Sequence, residues 1–348
     1  MTRLLPPLNL AIAGLGRWGT HLLRNFLALP GARVVALVDP NRQRLYDLCD
    51  RFELTDTVTC YDSWPQALAH PGLAAVVVAT PASTHYPMIK AALESGLHVL
   101  SEKPLTLESA TSAALCQLAA AQQRQLMVDH TYLFHPAVQQ GRDLCGQLGP
   151  LRYGYAARTN LGPVRPDADV FWDLAIHDVA IFNHWLGEQP IAVAAWGPVW
   201  LQPQAQAGFP SGLRDAGWLR LIYAQGDRPH PLEVVVHVSW ANPDKQRRLA
   251  LVGDRGTLVL DESPQAHPLT IYRGQFQTQS SLFVPSGPQM EAIAIASTEP
   301  LQAMCTHFLD CVAANRPSPI AAGQRATELV KTMVAIAAAA ETGAAIEI

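Results

Sequence analysis

Asp173 and His177 are the first residues whose types and spacing suggest chemistry. In the stretch Phe171-Trp172-Asp173-Leu174-Ala175-Ile176-His177-Asp178 they are four apart, and so fall one turn from each other on one face of a helix. A carboxylate beside an imidazole is an acid/base unit: the ring takes a proton near neutral pH, and the carboxylate orients it or binds substrate. The same spacing also suits a helix-surface ion pair or a buried, hydrogen-bonded histidine. His184 lies seven residues after His177, without the i, i+4 pairing of a zinc-binding helix, so it reads as a packing residue and no metal is expected. A further reactive group is Lys103, in Ser101-Glu102-Lys103-Pro104. Just past a parallel strand it can reach a reacting hydroxyl beside a nicotinamide; as a solvated loop lysine it would simply pair with Glu102.

Gly14-Leu15-Gly16-Arg17-Trp18-Gly19 matches G-x-G-x-x-G between an apolar run at Leu8 to Ala13 and a helical pattern through Leu22, Leu23 and Phe26. In that context the first glycine permits the tight turn and the second lets backbone approach a pyrophosphate. The third lets the helix pack on the strand, while the helix N-terminus faces the anion. A second strand ends in Asp39, twenty residues after Gly19, where a carboxylate accepts the ribose hydroxyls of NAD and repels a 2′-phosphate. NAD is therefore the expected cofactor, with Arg42 and Arg44 leaving NADP open. The segments Thr80-Pro81-Ala82-Ser83-Thr84-His85 and Glu102-Lys103 follow later strands, where an open parallel sheet builds its ligand crevice, so Arg17, Trp18, Thr80, Pro81, His85, Glu102 and Lys103 join the glycines and Asp39 as expected cofactor neighbours.

The elements that must position these groups come in two textures. Up to about residue 128, strands alternate with helices, which implies right-handed βαβ units and a doubly wound parallel sheet of Rossmann type over residues 1–130. From about residue 151, strands follow one another, with a helix at 169–185, a hairpin turn at Gly253-Asp254-Arg255-Gly256 and two helices at 300–314 and 324–342. This predicts a C-terminal α+β domain over residues 131–348 with an open, mostly antiparallel sheet, its last helix free to pack back on the first domain. The stretch 261–299, rich in Ser, Pro and Gln, reads as a flexible or meandering insertion.

With 348 residues, 49% hydrophobic and 16% charged, the chain has the size and composition of about two folded domains. Lys+Arg 25 against Asp+Glu 29 leaves −4, and with no basic block neither nucleic acid nor an anionic membrane is an expected partner. The six cysteines form no C-x-x-C pair, which fits thiols in a reducing compartment. The first residues make a poor secretory signal and no apolar run approaches membrane-spanning length, so a cytoplasmic location is expected.

Taken in order, AIAGLGRWG, LVD, VVVATPASTH, HVLSEKP, DHTYLFHPAV, WDLAIHD and HFLDCVAANRPSPIAAGQ resemble the glucose-fructose oxidoreductase, inositol dehydrogenase and rhizopine-catabolism family, Gfo/Idh/MocA, over nearly the whole chain. The resemblance implies a Rossmann domain and a C-terminal domain whose open sheet lines the active site and often makes dimer or tetramer contacts. It implies hydride transfer between nicotinamide and a secondary alcohol of a sugar, sugar nucleotide or cyclitol. Lys103 matches the family's E-K-P lysine, stabilising developing alkoxide; Asp173 and His177 match its D-x-x-x-H pair, with His177 the general base. Tyr132, Arg158 and Asn160 are expected substrate contacts. The stretch Asn160 to Asp178 resembles members associated with sugar-nucleotide and polysaccharide synthesis. Asp129 stands where the family has glycine. The competing reading is a non-catalytic NAD(P)-binding regulator or scaffold of the same family, which retention of Lys103, Asp173 and His177 disfavours; metal-dependent hydrolysis is a distant third.

Overall fold

Short apolar runs bounded by glycine and proline are too short for helices and too uniformly apolar for half-exposed strands, and they become the buried strands of a parallel sheet. A computed structural model describes residues 6–206, 208–228 and 230–348. In it β1 (Leu8–Ala13), β2 (Ala32–Val38), β3 (Thr59–Tyr61), β4 (Ala75–Val78), β5 (His98–Glu102) and β6 (Leu126–Asp129) pair in parallel in the order β3-β2-β1-β4-β5-β6. Strand order reverses between β1 and β4, which is where such sheets open a crevice at their carboxyl ends. The helices α1 (Arg17–Ala28), α2 (Arg42–Arg51), α3 (Trp64–Leu68), α4 (Ala82–Glu94) and α5 (Ser109–Ala121) make the crossovers. Gly14–Gly19, Asp39, Thr80–His85, Lys103 and His130–Tyr132 follow strand carboxyl ends, and Glu102 and Asp129 are the last residues of β5 and β6. A 3₁₀ turn at Thr131–Phe134 closes this segment.

The second texture becomes a nine-stranded sheet. Its elements are α6 (Pro136–Leu144), β7 (Leu151–Leu161), a π-helical turn (Phe171–Ala175) running into α7 (Ile176–Leu186), β8 (Pro190–Trp196), β9 (Ala216–Tyr223), β10 (Leu232–Ser239), β11 (Ala241–Gly253), β12 (Gly256–Asp261), β13 (Leu269–Gln279) and β14 (Leu282–Ala292). Then come α8 (Pro300–Ala314), α9 (Gly323–Thr342) and β15 (Ile346–Glu347). The order is β14-β13-β12-β11-β7-β10-β9-β8-β15. β7 and β10 are parallel and the other neighbours antiparallel. One face carries the π turn and α7: a Cβ at Gly217 would meet the Phe171 ring and one at Gly154 the Phe182 ring, so these glycines give the aromatic rings room. On the other face Trp196, Trp218 and His237 stack at 4.1 and 4.4 Å between ring centroids, near exposed Tyr153, Tyr155 and Val235.

Two compact units result. One runs up to Phe134 and takes in Glu299–Val330; the other comprises His135–Thr298 and Lys331–Ile348. α8 packs on α1, and Ala322 bridges to Met127 beside β6, which brings that late segment into the first unit. The stretch 261–299, expected to be a flexible or meandering insertion, instead holds the β13–β14 hairpin, paired from Thr270↔Ala292 to Gln279↔Leu282. Most of its outer residues are exposed on both faces, so no alternation of apolar and polar residues announced it.

Candidate active site

In the first unit the glycine turn divides its work among three positions. Gly14 has φ +83 and a Cβ there would sit 2.5 Å from the Ala79 carbonyl oxygen, so the turn itself requires glycine. A Cβ at Gly19 would lie 1.8 Å from the Gly14 carbonyl oxygen, so α1 can approach β1 only without one. Gly16 has φ −65 and nothing within 4 Å of the Cβ it lacks. Its place at the N-cap of α1 leaves the first-turn N–H groups without a side-chain cap. Arg17 and Trp18, next in the motif, are exposed.

Asp39 follows β2 directly and is almost wholly buried. Its carboxylate accepts from the Leu15 N–H at 2.8 Å and the Asn41 N–H at 2.9 Å, which ties the glycine turn to β2. The Arg44 guanidinium covers both oxygens at 3.0 and 3.2 Å from a half-exposed side chain. Arg42 is turned away, bound to Asp62. Thr80 and the exposed Pro81 lead into α4, with the Thr84 hydroxyl donating to Thr80 at 2.7 Å. His85 is buried, its ring nitrogens 2.7 Å from the Pro104 carbonyl and 2.9 Å from that of Thr80. It braces the two loops from behind and offers no ring nitrogen to solvent.

β5 and β6 place Glu102 directly opposite Asp129, so two buried carboxyls share one face of the sheet. Each is held above its ordinary value, since two buried carboxyls side by side cannot both ionise without cost. Burial, followed by the Asp129 charge, holds Glu102 well above the usual carboxylate range. Burial raises Asp129 as well, against the opposing pull of the Thr131 hydroxyl that donates to it at 2.5 Å. His130 comes next, buried, and burial aided by the Lys103 charge pushes it down to about 4, so its ring is neutral. Lys103, half-buried, is the positive charge felt by all three groups. Tyr132 follows on the 3₁₀ turn, also half-buried.

In the second unit, every residue from 168 to 185 is buried except Asp173 and His177. The segment's other ionisable groups, Asp169, Asp178 and His184, are buried, so Asp173 and His177 are the two it presents on its accessible stripe. Asp173 lies in the π turn and His177 in the first turn of α7; π turns of this kind are frequent at functional sites. One Asp173 oxygen accepts from the Trp240 indole at 3.2 Å and the other meets Arg165 at 3.3 Å. Arg165 is itself clamped by Asp167 at 2.7 and 3.0 Å, and the charged Arg165 holds Asp167 below its usual value.

Residues 8–130 match the family model described as "Oxidoreductase family, NAD-binding Rossmann fold", Gfo/Idh/MocA. The UDP-N-acetylglucosamine 3-dehydrogenase of Acidithiobacillus ferrooxidans is 26% identical over 88% of this chain and 89% of its own. The scyllo-inositol 2-dehydrogenase (NAD(+)) of Bacillus subtilis is 29% identical over 56% of this chain and 58% of its own. Among solved structures, GenD2 from gentamicin A biosynthesis in complex with NAD aligns with TM-score 0.80 over 100% of this chain and 98% of its own, at 22% identity, a likeness of fold. Residues 8–130 are thus similar to the NAD-binding domain of the Gfo/Idh/MocA oxidoreductases, and the relatives aligned with the chain are dehydrogenases.

The matched domain is NAD-binding, and the glycine turn fits that cofactor. Gly14 and Gly19 are accounted for by the chain's own contacts, whereas the open space at Gly16 and the uncapped N–H groups of α1 suit a pyrophosphate. The site residues read from the sequence divide by unit. Gly14, Gly16, Arg17, Trp18, Gly19, Asp39, Thr80, Pro81, His85, Glu102, Lys103 and Tyr132 lie in the first; Arg158, Asn160, Asp173 and His177 lie in the second.

Arg158 does not lie open to a ligand as expected of a substrate contact. It is 1% exposed, and its guanidinium donates twice to Asp178 Oδ1, at 2.9 and 2.7 Å. That buried pair ties β7 to α7 at the residue after His177. Asn160 donates to the Gly162 carbonyl at 2.9 Å and accepts from Arg247 at 2.7 Å. His184 is buried, with Arg142 3.3 Å from its Nδ1. Sequence reasoning missed Asp178, Trp240 and Asp167; the His177-Asp178 dipeptide was the one visible signal, an acidic residue on the side of a helix that otherwise carries apolar groups. Among the described residues no helix is long and apolar enough to cross a membrane.

Proposed function

We propose that this chain oxidises or reduces a secondary alcohol of a sugar, sugar nucleotide or cyclitol with NAD, and that Lys103, Asp173 and His177 carry the chemistry. The bound nicotinamide accepts or returns the hydride. His177 takes the hydroxyl proton as general base, and Lys103 stabilises the developing alkoxide with its ammonium. Asp173, steadied by Arg165 and the Trp240 indole, holds a neighbouring hydroxyl. The observation that carries the reading is the isolation of Asp173 and His177 as the accessible residues of an otherwise buried segment. Tyr132 and Asn160 are the further polar groups offered to substrate, and Arg158 positions α7.

A nucleotide-linked sugar is the favoured substrate class, in keeping with the sugar-nucleotide relative aligned over most of both chains. The exposed aromatic face of the nine-stranded sheet supports self-association into a homo-dimer or homo-tetramer, and the protein works in the cytoplasm. The experiment is a turnover screen with NAD and NADP against free sugars, inositols, sugar acids and nucleotide sugars, run on wild type and Lys103→Ala. Reduced nicotinamide formed by wild type and lost in the variant supports the proposal. Tight NAD binding with no turnover on any class would favour a non-catalytic regulator, and full turnover by Lys103→Ala would remove the lysine's role.

A further inference from the structure

Four of the six cysteines meet something other than a thiol or are sealed away. Cys116 lies 3.3 Å from the Thr327 hydroxyl, Cys145 donates to the Gly141 carbonyl at 3.1 Å, Cys311 is 3.4 Å from His307, and Cys305 is fully buried on α8. The other two meet each other. Cys49 on α2 and Cys60 on β3 bring their Sγ atoms to 3.0 Å, about 1 Å beyond a covalent sulfur–sulfur bond.

Their surroundings divide the two sulfurs' roles. β3 is the edge strand of its sheet and Cys60 is exposed on it, while Cys49 stands behind, buried on the inner side of α2. An oxidant arriving from solvent meets one sulfur, with the second already placed to resolve the adduct. We propose that Cys49 and Cys60 form a redox-modification site: a dithiol that a small-molecule disulfide such as glutathione disulfide converts to an internal disulfide, tying α2 to β3. A cysteine thiolate attacks the small disulfide and expels one glutathione thiolate. The other cysteine then gives up its proton, attacks the mixed disulfide and expels the second. Two protein thiols are oxidised by two electrons, and one glutathione disulfide becomes two glutathione thiols carrying the two protons.

Partial burial of its sulfur and the contact with Cys49 push the otherwise exposed Cys60 thiol up to about 12, so exchange is slow at neutral pH and accelerates as pH rises. The clamp would sit beside Asp39, whose N–H donates to the Tyr61 carbonyl on β3 and whose carboxylate meets Arg44 of α2. The site is independent of the catalytic reading given above.

The test equilibrates the full chain in glutathione buffers from reducing to oxidising at mildly alkaline pH, counts free thiols after denaturation and maps the peptides. The thiol count is expected to fall from six to four, with a Cys49–Cys60 crosslink that dithiothreitol reverses. Cys60→Ser, an exposed and mild substitution, should lose the crosslink and keep its remaining thiols. Six thiols at the oxidising end, or wild type carrying glutathione on Cys60 with Cys49 still free, would overturn the proposal.

Discussion

Replacing Gly16 and Gly19 by alanine, one at a time, separates what the turn needs for folding from what it needs for the dinucleotide. At Gly19 the new Cβ would fall 1.8 Å from the Gly14 carbonyl oxygen, a backbone atom. The Gly14 N–H donates to the Val38 carbonyl, which fixes this peptide to β2, so α1 must lift from β1 together with the fully buried Leu22, Leu23 and Phe26. Overpacking of that kind costs about 3 kcal/mol or more. At roughly 2–4 °C per kcal/mol for a unit of this size, Gly19→Ala should lower Tm by about 6–12 °C. At Gly16 the backbone is in a conformation any residue adopts and the Cβ meets nothing, so Gly16→Ala should cost no more than about 1 kcal/mol, roughly 2–4 °C, for the poorer N-cap. The methyl would occupy the approach to the α1 N-terminus. A loss of at least tenfold in NAD affinity, about 1.4 kcal/mol, is therefore expected of a variant that still folds. Thermal unfolding and a fluorescence titration with reduced nicotinamide dinucleotide measure the two effects side by side. Wild-type affinity in Gly16→Ala, or a Tm loss as large as that of Gly19→Ala, would refute the assignment of the open space to the pyrophosphate.

Other expectations follow from the buried charges. Glu102 is held well above its ordinary value by burial, so it favours the folded state below the normal carboxylate range and withdraws that stability as pH rises toward its raised value. The Tm of Glu102→Gln minus that of wild type should therefore grow as pH rises above the ordinary carboxylate value of 4.5, and a flat difference would count against the buried acid. His130 has the opposite sign: pushed down to about 4, it stabilises the fold above about pH 6.5 and ceases to do so as pH falls, so His130→Asn should reduce the acid sensitivity of unfolding over that window. Arg158→Ala leaves the Asp178 carboxylate buried and unpaired, and should cost about 3–5 kcal/mol in chemical denaturation, while Arg158→Met with Asp178→Leu recovers much of it. If Arg158→Ala instead raised KM without loss of stability, Arg158 would be a substrate contact after all. Asp39→Ala frees Arg44, and should move the NADP-to-NAD preference toward NADP by about tenfold in comparative titrations, whereas an unchanged ratio would deny Asp39 its discriminating role.

The doubly wound half was legible because its strands are short apolar runs and its turns are marked by glycine, and both signals are local. The glycine fingerprint, Asp39, Lys103 and the Asp173/His177 stripe stand at the positions their spacing predicted. What could not be read depends on partners distant in sequence. Glu102 and Asp129 become a pair through strand register across 27 residues, and Arg158 turns inward because Asp178 waits beneath β7. A strand pattern shows which face a residue takes but not whether a buried carboxylate will meet it. α3 has Pro65 in its first turn and five residues, below the length at which a helical period shows. α6 was hidden for a different reason: its buried Ala137, Val138 and Gly141 make a small-residue face, packed so closely that a Cβ at Gly141 would strike the Trp185 ring.

The central claim is that His177 removes a proton as hydride passes between substrate and nicotinamide, and a comparison of wild type with His177→Asn tests it most directly. Both proteins should bind NAD with the same affinity. On a substrate found in the screen, the variant should form reduced nicotinamide at least about a hundredfold more slowly, the lower end of what a general base contributes. Undiminished turnover by His177→Asn would contradict the account.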